Sequence, residues 1–435
     1  MPQTHTDYVC TACGCLCDDL TLTVEGRRIT RVEPPCPVAA AFFLKERPAP
    51  PAAALINGKP ATLEAALARA AEILQAASAP LIFGGEQATV DAQRAAVALA
   101  DRLGATIDPT DARGRSQNHA AIQSLGAVTA TLGEVAGRSD LIIYWNCDPA
   151  VTHPRHIERI ARHPFTTPGD HPAARRVIVV APNRNASTKL ADEALTLRAG
   201  GDLAALAVVR AIVDAEKPAD VKIDNENQVE RLTGAPLAQW AYLAQRLKLA
   251  RYAAIFYAPD RSDPAGPDAI AQSITELVRD HHRHTRAVAL TLGEPGNAAG
   301  AAQVLAWQTG FPSAVNFAAG YPQSLPGEST AAAILERGET DAAIILGADP
   351  LHSTTSTLTA GARNHLQQIP TIVLDDQPTA TAQQAAVAIF TPTFGIETAG
   401  SVFRSDNIVL PLHAAIPPNR PAAEELLQSL LKLLN

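Results

Sequence analysis

The chain has 435 residues, which is too long for one ordinary hydrophobic core and indicates two or three domains. It is 47% hydrophobic and 18% charged, as globular proteins are. A formal net charge of -8 argues against a nucleic-acid partner, because such surfaces need clustered Lys and Arg. No uncharged apolar run is long enough to cross a membrane, and residues 1–9 lack the features of a secretory signal, so we expect a cytoplasmic protein.

Cysteines are concentrated at the start of the chain, where five of the 6 lie within residues 10–36. Four of them, Cys10, Cys13, Cys17 and Cys36, follow the spacing C-x2-C-x3-C-x18-C. Three ligands from one tight loop and a fourth from a later segment favour a 4Fe–4S cluster. Tetrahedral zinc and a motif without metal are the alternatives. Cys15 lies inside the loop and is not counted as a ligand.

These cysteines belong to a predicted N-terminal module of residues 1–52. Within it, "LTLTVEG" and "RRITRVE" alternate apolar and polar residues around Gly26, which is the pattern of a β-hairpin. The Pro-rich stretch at residues 48–51 indicates a linker. A module of this size buries little apolar surface, so it needs an additional stabilising link such as a bound cluster.

From Thr62 onward the pattern is α/β. "LEAALARAAEILQAA" predicts an amphipathic helix and "PLIFGG" a buried strand after it. Residues 140–149 and 175–185 predict further strands, and similar runs follow towards the C-terminus. Short β-branched runs separated by helix-length segments are typical of parallel sheets with crossover helices.

A weak internal repeat relates two parts of this pattern. "RSDLIIYWNCDP" resembles "ETDAAIILGADP", and each is followed by a strand that ends in "APNRNAST" or "LDDQPTAT". The repeat predicts two related doubly wound domains, which bind ligands at the carboxyl ends of their strands. The alternative to a binding site is that Asn, Asp and Pro are common at strand–turn–helix connections in any α/β protein. The polar strand-end positions are Asn146, Asp148, Asn183, Gly347 and Asp349.

Two further stretches each allow a site or a structural role. The histidines His281, His282 and His284 in "RDHHRHT" suggest a metal, but a solvated helix end is favoured. The glycines of residues 292–303 offer either an anion-binding turn or close packing between a helix and a sheet.

Several segments resemble a known family. "CTACGCLCDDLTLTVEG…C" resembles the start of the B subunit of formylmethanofuran dehydrogenase, and residues 131–156, "TLGEVAGRSDLIIYWNCDPAVTHPRH", resemble an internal stretch of it. The segments that begin "VIVVAPNRNAST" and "TIVLDDQPTATA" resemble the paired pterin-binding segments of the molybdopterin oxidoreductase superfamily. The resemblance runs from about Tyr8 to the end of the sequence.

This resemblance implies an α/β fold in which a Cys-rich iron–sulfur-type module precedes two Rossmann-like parallel-sheet domains. One domain would be discontinuous, over residues 53–112 and 250–435, and the other inserted, over residues 113–249. The archaeal family member reduces carbon dioxide to formate at a tungsten or molybdenum pterin. The superfamily's barrel-like fourth domain is a separate chain in this family.

The sequence departs from the family at one position. The family has a Cys-His-Gly-Pro stretch whose Cys ligates tungsten, and the corresponding stretch here is "GRSQNHAAIQSLG". Asn118 takes the place of the metal-ligand Cys, which leaves His119 as the catalytic candidate. No cysteine occurs between Cys36 and Cys147. A neutral amide replaces a thiolate poorly on a soft metal, so we expect tungsto- or molybdopterin to be absent and the strand-end residues to line a relict pterin cleft.

A homologue without this ligand resembles the B subunit of the bacterial formyltransferase/hydrolase complex. That complex converts formaldehyde to formate in tetrahydromethanopterin-linked one-carbon metabolism, with a methanofuran-type cofactor. The resemblance implies a scaffold within an enzyme complex, whose partners are an amidohydrolase-like A subunit, a C subunit and a formyltransferase subunit. The alternative is an active tungsten or molybdenum formylmethanofuran dehydrogenase subunit. A third interpretation is an unrelated nucleotide-binding α/β enzyme. It requires the motif G-x-G-x-x-G after the first strand, and "FGGEQATV" does not contain that motif.

Overall fold

The computed structural model describes residues 2–109, 121–165, 175–215, 225–258, 266–325, 327–352 and 356–434. The chain divides into two compact units, one of residues 1–116 and 293–435 and the other of residues 117–292. No helix in the described part is long and apolar enough to cross a membrane.

The described strands are, in chain order, β1 Gln3–Tyr8, β2 Leu20–Glu25, β3 Arg28–Glu33, β4 Ala54–Ile56, β5 Lys59–Ala61, β6 Pro80–Gly84, β7 Thr106–Asp108, β8 Leu141–Trp145, β9 Arg176–Ala181, β10 Glu193–Thr196, β11 Tyr252–Tyr257, β12 Arg286–Thr291, β13 Val315–Asn316, β14 Gln323–Ser324, β15 Ala342–Leu346, β16 Thr371–Asp375, β17 Val387–Phe390, β18 Gly400–Phe403 and β19 Val409–Leu412.

The described α-helices are α1 Pro37–Phe43, α2 Leu63–Ala76, α3 Val90–Leu103, α4 Leu132–Arg138, α5 Pro149–Thr152, α6 Pro154–His156, α7 Asp202–Asp214, α8 Glu226–Thr233, α9 Leu237–Leu249, α10 Pro267–His281, α11 Ala298–Thr309, α12 Ala331–Glu336, α13 Ala360–Leu366, α14 Ala380–Gln384 and α15 Ala423–Leu433. A π-helical turn spans Ile157–Ala161, and a 3-10 turn spans Ser187–Lys189.

The first unit contains a nine-stranded sheet in the order β14-β13-β7-β6-β15-β16-β17-β4-β5. Its central strands β7, β6, β15, β16 and β17 are parallel, and antiparallel strands close both edges. The chain passes from β6 to β7 on one side and later places β15 on the other side of β6. The point between β6 and β15 is therefore the topological switch, where doubly wound sheets bind ligands.

Both faces of this sheet are covered, which explains the continuous apolar strands. Along β6, Ile82 packs with α2, α3 and α15 on one face, whereas Leu81 and Phe83 pack with α12 and α13 on the other. The helix α2 begins where Thr62 caps it, since the hydroxyl of Thr62 accepts a hydrogen bond from the backbone N–H of Ala65 at 3.2 Å. The predicted amphipathic helix and buried strand are thus both present.

The second unit contains a five-stranded sheet in the order β10-β9-β8-β11-β12, with every pairing parallel. Side chains of β8 alternate between its faces. Trp145 packs with α7, α9 and α10, and Tyr144 packs with α4 and the π-helical turn. Because β9 and β11 lie on opposite sides of β8, the switch point of this sheet falls between β8 and β11. The α/β architecture with parallel sheets is therefore confirmed.

The domain boundaries fall differently from the predicted ones. The predicted discontinuous domain resumes at residue 250, but β11 and β12 pair through β8 with the second sheet, and the first unit resumes at residue 293. The three-stranded sheet β1-β2-β3 contains the predicted hairpin. Residues 1–52 nevertheless belong to the first unit, since their core continues into Ile396, Ala415 and Ile416.

Candidate functional site

The N-terminal cysteines lie together in one buried cluster. Cys10, Cys13, Cys15, Cys17 and Cys36 are all in the same hydrophobic core. The loop closes because the backbone N–H of Cys10 donates to the carbonyl of Cys17 at 2.8 Å. Cys36 comes from after β3 and occupies the N-cap position of α1. The fold therefore brings the fourth cysteine to the loop that carries the other three.

The backbone of this loop is packed against the segment that begins at residue 293. A Cβ added to Gly14 would lie 2.3 Å from the carbonyl oxygen of Gly293, and one added to Gly395 would lie 2.1 Å from Oγ1 of Thr11. The N–H of Gly296 donates to the carbonyl of Thr11 at 2.9 Å. Gly293 and Gly296 thus allow close packing between loops, whereas the sequence had offered close packing between a helix and a sheet.

Burial raises the pKa of the Cys10 thiol, and the thiols of Cys13, Cys17 and Cys36 raise it further. A hydrogen bond from Cys15 lowers the pKa of Cys13 to about 7. Four neighbouring thiols form a donor set that suits a soft metal. Within the described residues, however, no group of three or more His, Cys, Asp or Glu side chains has the arrangement of a metal site. The donor chemistry fits a cluster, and the cluster itself stays a prediction.

The strand-end residues of the second unit are held by local hydrogen bonds. Asn146 has a left-handed φ of 51°, and its N–H donates to the carbonyl of Val180 at 2.8 Å. The carboxylate of Asp148 accepts from the N–H of Ala186 at 3.2 Å and from the N–H and hydroxyl of Ser187, the N–H at 2.9 Å. This carboxylate therefore ties the end of β8 to the turn after β9.

The first unit repeats this arrangement at the equivalent positions. Gly347 has a φ of 57°, and its N–H donates to the carbonyl of Leu374 at 2.8 Å. The carboxylate of Asp349 accepts from the N–H of Ala380 at 3.2 Å, from the N–H of Thr381 at 3.0 Å and from its hydroxyl at 2.6 Å. The internal repeat is thus present down to single hydrogen bonds. These hydrogen bonds give Asp148 and Asp349 a structural role that the sequence did not indicate.

A cavity of about 260 Å3 lies at the carboxyl ends of β15 and β16. Gly347 lines it, as do Gln87, Asp375 and Asp376. Burial and the neighbouring Asp376 raise the pKa of Asp375, which favours its neutral acid form. Sequence reasoning missed both acidic residues, because "LDDQPTAT" does not show which carboxyl group faces a cavity.

Of the predicted strand-end positions in the first unit, Gly347 lines this cavity. Asn183 belongs to the second unit and is exposed. Asn118 and His119 lie outside the described residues. In the histidine run, His282 and His284 are exposed as predicted, but His281 is fully buried in the core of the second unit. The prediction of a solvated helix end is therefore wrong for His281, because the side chain of His281 lies on the buried face of α10.

The fold first defines the class. The solved structure of acetylene hydratase from Pelobacter acetylenicus matches with a TM-score of 0.66 at 14% identity, over 99% of this chain and 69% of that one. At this identity the match establishes a shared α/β fold. A structure of the formyltransferase/hydrolase complex from Methylorubrum extorquens with methylofuran matches with a TM-score of 0.72 at 26% identity, over 88% of this chain and 98% of that one.

Sequence relatives then define the family. The B subunit of tungsten-containing formylmethanofuran dehydrogenase 2 from Methanocaldococcus jannaschii is 31% identical over 422 residues, 95% of this chain and 94% of the relative. The B subunit of the formyltransferase/hydrolase complex of M. extorquens is 31% identical over 301 residues, 68% of this chain and 75% of the relative. No family model matches the chain. The chain belongs to the family of formylmethanofuran dehydrogenase B subunits, as the resemblance predicted.

Proposed function

We propose that this chain is the B subunit of a cytoplasmic formyltransferase/hydrolase-type complex, in which it serves as a scaffold without tungstopterin catalysis. The complex would transfer formyl groups from tetrahydromethanopterin to a furan cofactor and hydrolyse them to formate, as a non-redox part of tetrahydromethanopterin-linked one-carbon metabolism. The observation that carries the proposal is the absence of any cysteine between Cys36 and Cys147. A soft metal that cycles through high oxidation states needs strong donors, and this span offers no thiolate.

The strand-end contacts are explained without a bound cofactor. The carboxylates of Asp148 and Asp349 are engaged by the backbone and hydroxyl groups of the following turns. Such residues are needed to hold the sheet edges whether or not a cofactor binds, so the fold can outlast its catalytic site. His119 is able to move a proton, but proton transfer without a metal cannot move the electrons of a carbon dioxide reduction.

The solved relative supports assembly with partner subunits. The related chain in the solved structure is part of a complex with methylofuran, and 98% of its length aligns with this chain. We propose that the chain assembles with an amidohydrolase-like A subunit, a C subunit and a formyltransferase subunit, which carry the chemistry. Cys10, Cys13, Cys17 and Cys36 would hold a structural iron–sulfur cluster that staples the N-terminal segment.

Co-expression with the partner subunits of the same genome tests the scaffold role. We expect a stable complex that transfers and hydrolyses formyl groups, and we expect its recovery to fail when this chain is omitted. His119→Ala should leave assembly and both activities intact, because the proposal gives that residue no redox role. A monodisperse monomer that shows no association with any partner would contradict the proposal.

An active dehydrogenase subunit is the alternative, and two observations favour it. The full-length relative from M. jannaschii is tungsten-containing by name, and this chain retains all four cysteines of the N-terminal motif. Formate-dependent dye reduction by the anaerobic complex separates the two functions. Activity that Asn118→Ala or His119→Ala abolishes would establish the alternative, whereas Asn227→Ala, at an exposed helix position, serves as the control.

A further inference from the structure

A second cavity of the first unit has no role in the proposed function. It has a volume of about 820 Å3 and lies between the β2–β3 turn, the segment that follows α1 and residues 393–420. This volume falls in the range of about 300–1,000 Å3 that is usual for small-molecule sites. The cavity adjoins the smaller one at the ends of β15 and β16, with Lys45 and Arg47 lining both.

The charged side chains that line this cavity are mainly cationic. Its charged side chains are five cations and two carboxylates: Arg27, Arg28, Lys45, Arg47, Arg420, Glu46 and Glu397. This excess of positive charge occurs on a chain whose formal net charge is -8. A concave surface lined by one sign of charge concentrates ligands of the opposite sign.

The carboxylates nearby do not neutralise all of these cations. Glu397 is shared between Arg27 and Arg420, the latter at 3.6 Å. Arg28 lies 3.3 Å from Glu46, and Arg47 lies 3.9 Å from Asp376. Lys45 is exposed and forms no ion pair with any residue that the structure describes. At least one cation of the cavity is therefore free to meet an incoming anion.

Two arginines of the lining are held in place before any ligand binds. The guanidinium of Arg47 donates to the carbonyl of Phe42 at 2.7 Å and lies 5.0 Å above the centre of the Phe42 ring. Arg420 donates to the carbonyl of Asp376 at 3.4 Å. Their side chains are only 17% and 16% exposed. Binding would therefore cost little side-chain ordering at these two positions.

Burial lowers the pKa of Arg47, although Asp376 and Glu397 oppose the shift. The low exposure of the Arg47 side chain means that this guanidinium has lost part of its hydration. A bound anion would restore favourable contacts to it, since arginine pairs well with carboxylate and phosphate even where water is scarce.

We propose that this cavity binds a small organic anion with two or more carboxylate or phosphate groups. Arg47 and Arg420 would anchor the ligand in the cavity, and Lys45 would contact it from the exposed edge. The cations come from three separate segments of the chain, so a single small charge would engage only part of them. Carboxylate and phosphate share the required chemistry, and separate probes distinguish them.

Isothermal titration of the full chain with pyrophosphate and with citrate tests this site. We expect saturable binding of at least one probe, and about tenfold weaker binding in both Lys45→Gln and Arg420→Gln. Affinity should also fall as salt rises, because the cations are partly exposed. Tighter binding of pyrophosphate would identify a phosphate ligand, and tighter binding of citrate a carboxylate ligand.

Arg337→Gln is the matched control, since Arg337 is a cation of the same unit that pairs with Glu339 away from this cavity. It should bind both probes like the unaltered chain. Lys45→Gln removes no ion pair of the described structure, so it should keep the fold, and its melting temperature verifies this. Failure of both probes to bind, or binding that Lys45→Gln and Arg420→Gln leave unchanged, would overturn the proposal.

Discussion

Replacing Asn297 by alanine removes a buried side chain that ties four segments of the first unit together. Its side-chain nitrogen donates to the carbonyl of Ala88 at 3.0 Å and to Oε1 of Gln93 at 3.1 Å. Its side-chain oxygen accepts from the N–H of Phe403 at 2.8 Å. The residue is fully buried and precedes α11, so its side chain links that helix to the loop after β6, to α3 and to β18.

Asn297→Ala leaves three buried polar groups of the first unit without these partners. A buried donor or acceptor that loses its partner costs about 1–3 kcal/mol. Some of the three groups will find water or relax, so we expect the free energy of unfolding to fall by about 3–6 kcal/mol in total. A domain is stable by about 5–15 kcal/mol, so the substitution removes a large part of the stability of this unit.

Urea unfolding followed by circular dichroism measures this loss. Asn364→Ala is the control because Asn364 is exposed on α13 of the same unit, and its replacement should change the free energy of unfolding by less than about 0.5 kcal/mol. A loss for Asn297→Ala no larger than that of the control would refute the view that this hydrogen-bond network stabilises the unit.

Three further outcomes are expected. His281→Leu should stabilise the chain by about 1–2 kcal/mol in urea unfolding, because both ring nitrogens of His281 are buried without a partner in the described structure. Burial lowers the pKa of His281 from 6.5 to about 4, so stability should fall as pH drops through this range, and less steeply in the variant. His282→Leu, which loses a contact to the carbonyl of Ala287, should not stabilise. Asp349→Ala should lower the free energy of unfolding by about 2–4 kcal/mol, and an unchanged melting temperature would contradict its structural role. Anaerobically purified protein should contain iron and sulfide with visible absorption that Cys13→Ser abolishes and Cys147→Ser retains; zinc, or no metal, would contradict the cluster.

Local patterns predicted much of the fold. The alternation around Gly26 predicted the β2–β3 hairpin, and the apolar runs predicted the parallel strands, because each of these signals lies within a few neighbouring residues. The repeat of "NCDP" and "GADP" identified equivalent strand ends. Asn146 and Gly347 share a left-handed conformation there, and Asp148 and Asp349 bind the same kind of turn.

Features that depend on distant contacts were not predicted. The pairing of β11 with β8 joins residues more than a hundred positions apart, so nothing local indicated that the second unit continues to residue 292. The burial of His281 depends on which face of α10 meets the sheet. The acidic pair Asp375 and Asp376 became a candidate only once the fold placed both residues beside a cavity.

The central claim is that the chain works without a catalytic tungsten or molybdenum. Elemental analysis of the complex, purified anaerobically with its partner subunits from cells supplied with both metals, tests this claim most directly. The account predicts that neither metal is present in stoichiometric amount, because the span between Cys36 and Cys147 has no thiolate to ligate it. Stoichiometric tungsten or molybdenum that remains bound through purification would contradict the account and establish the chain as part of an active dehydrogenase.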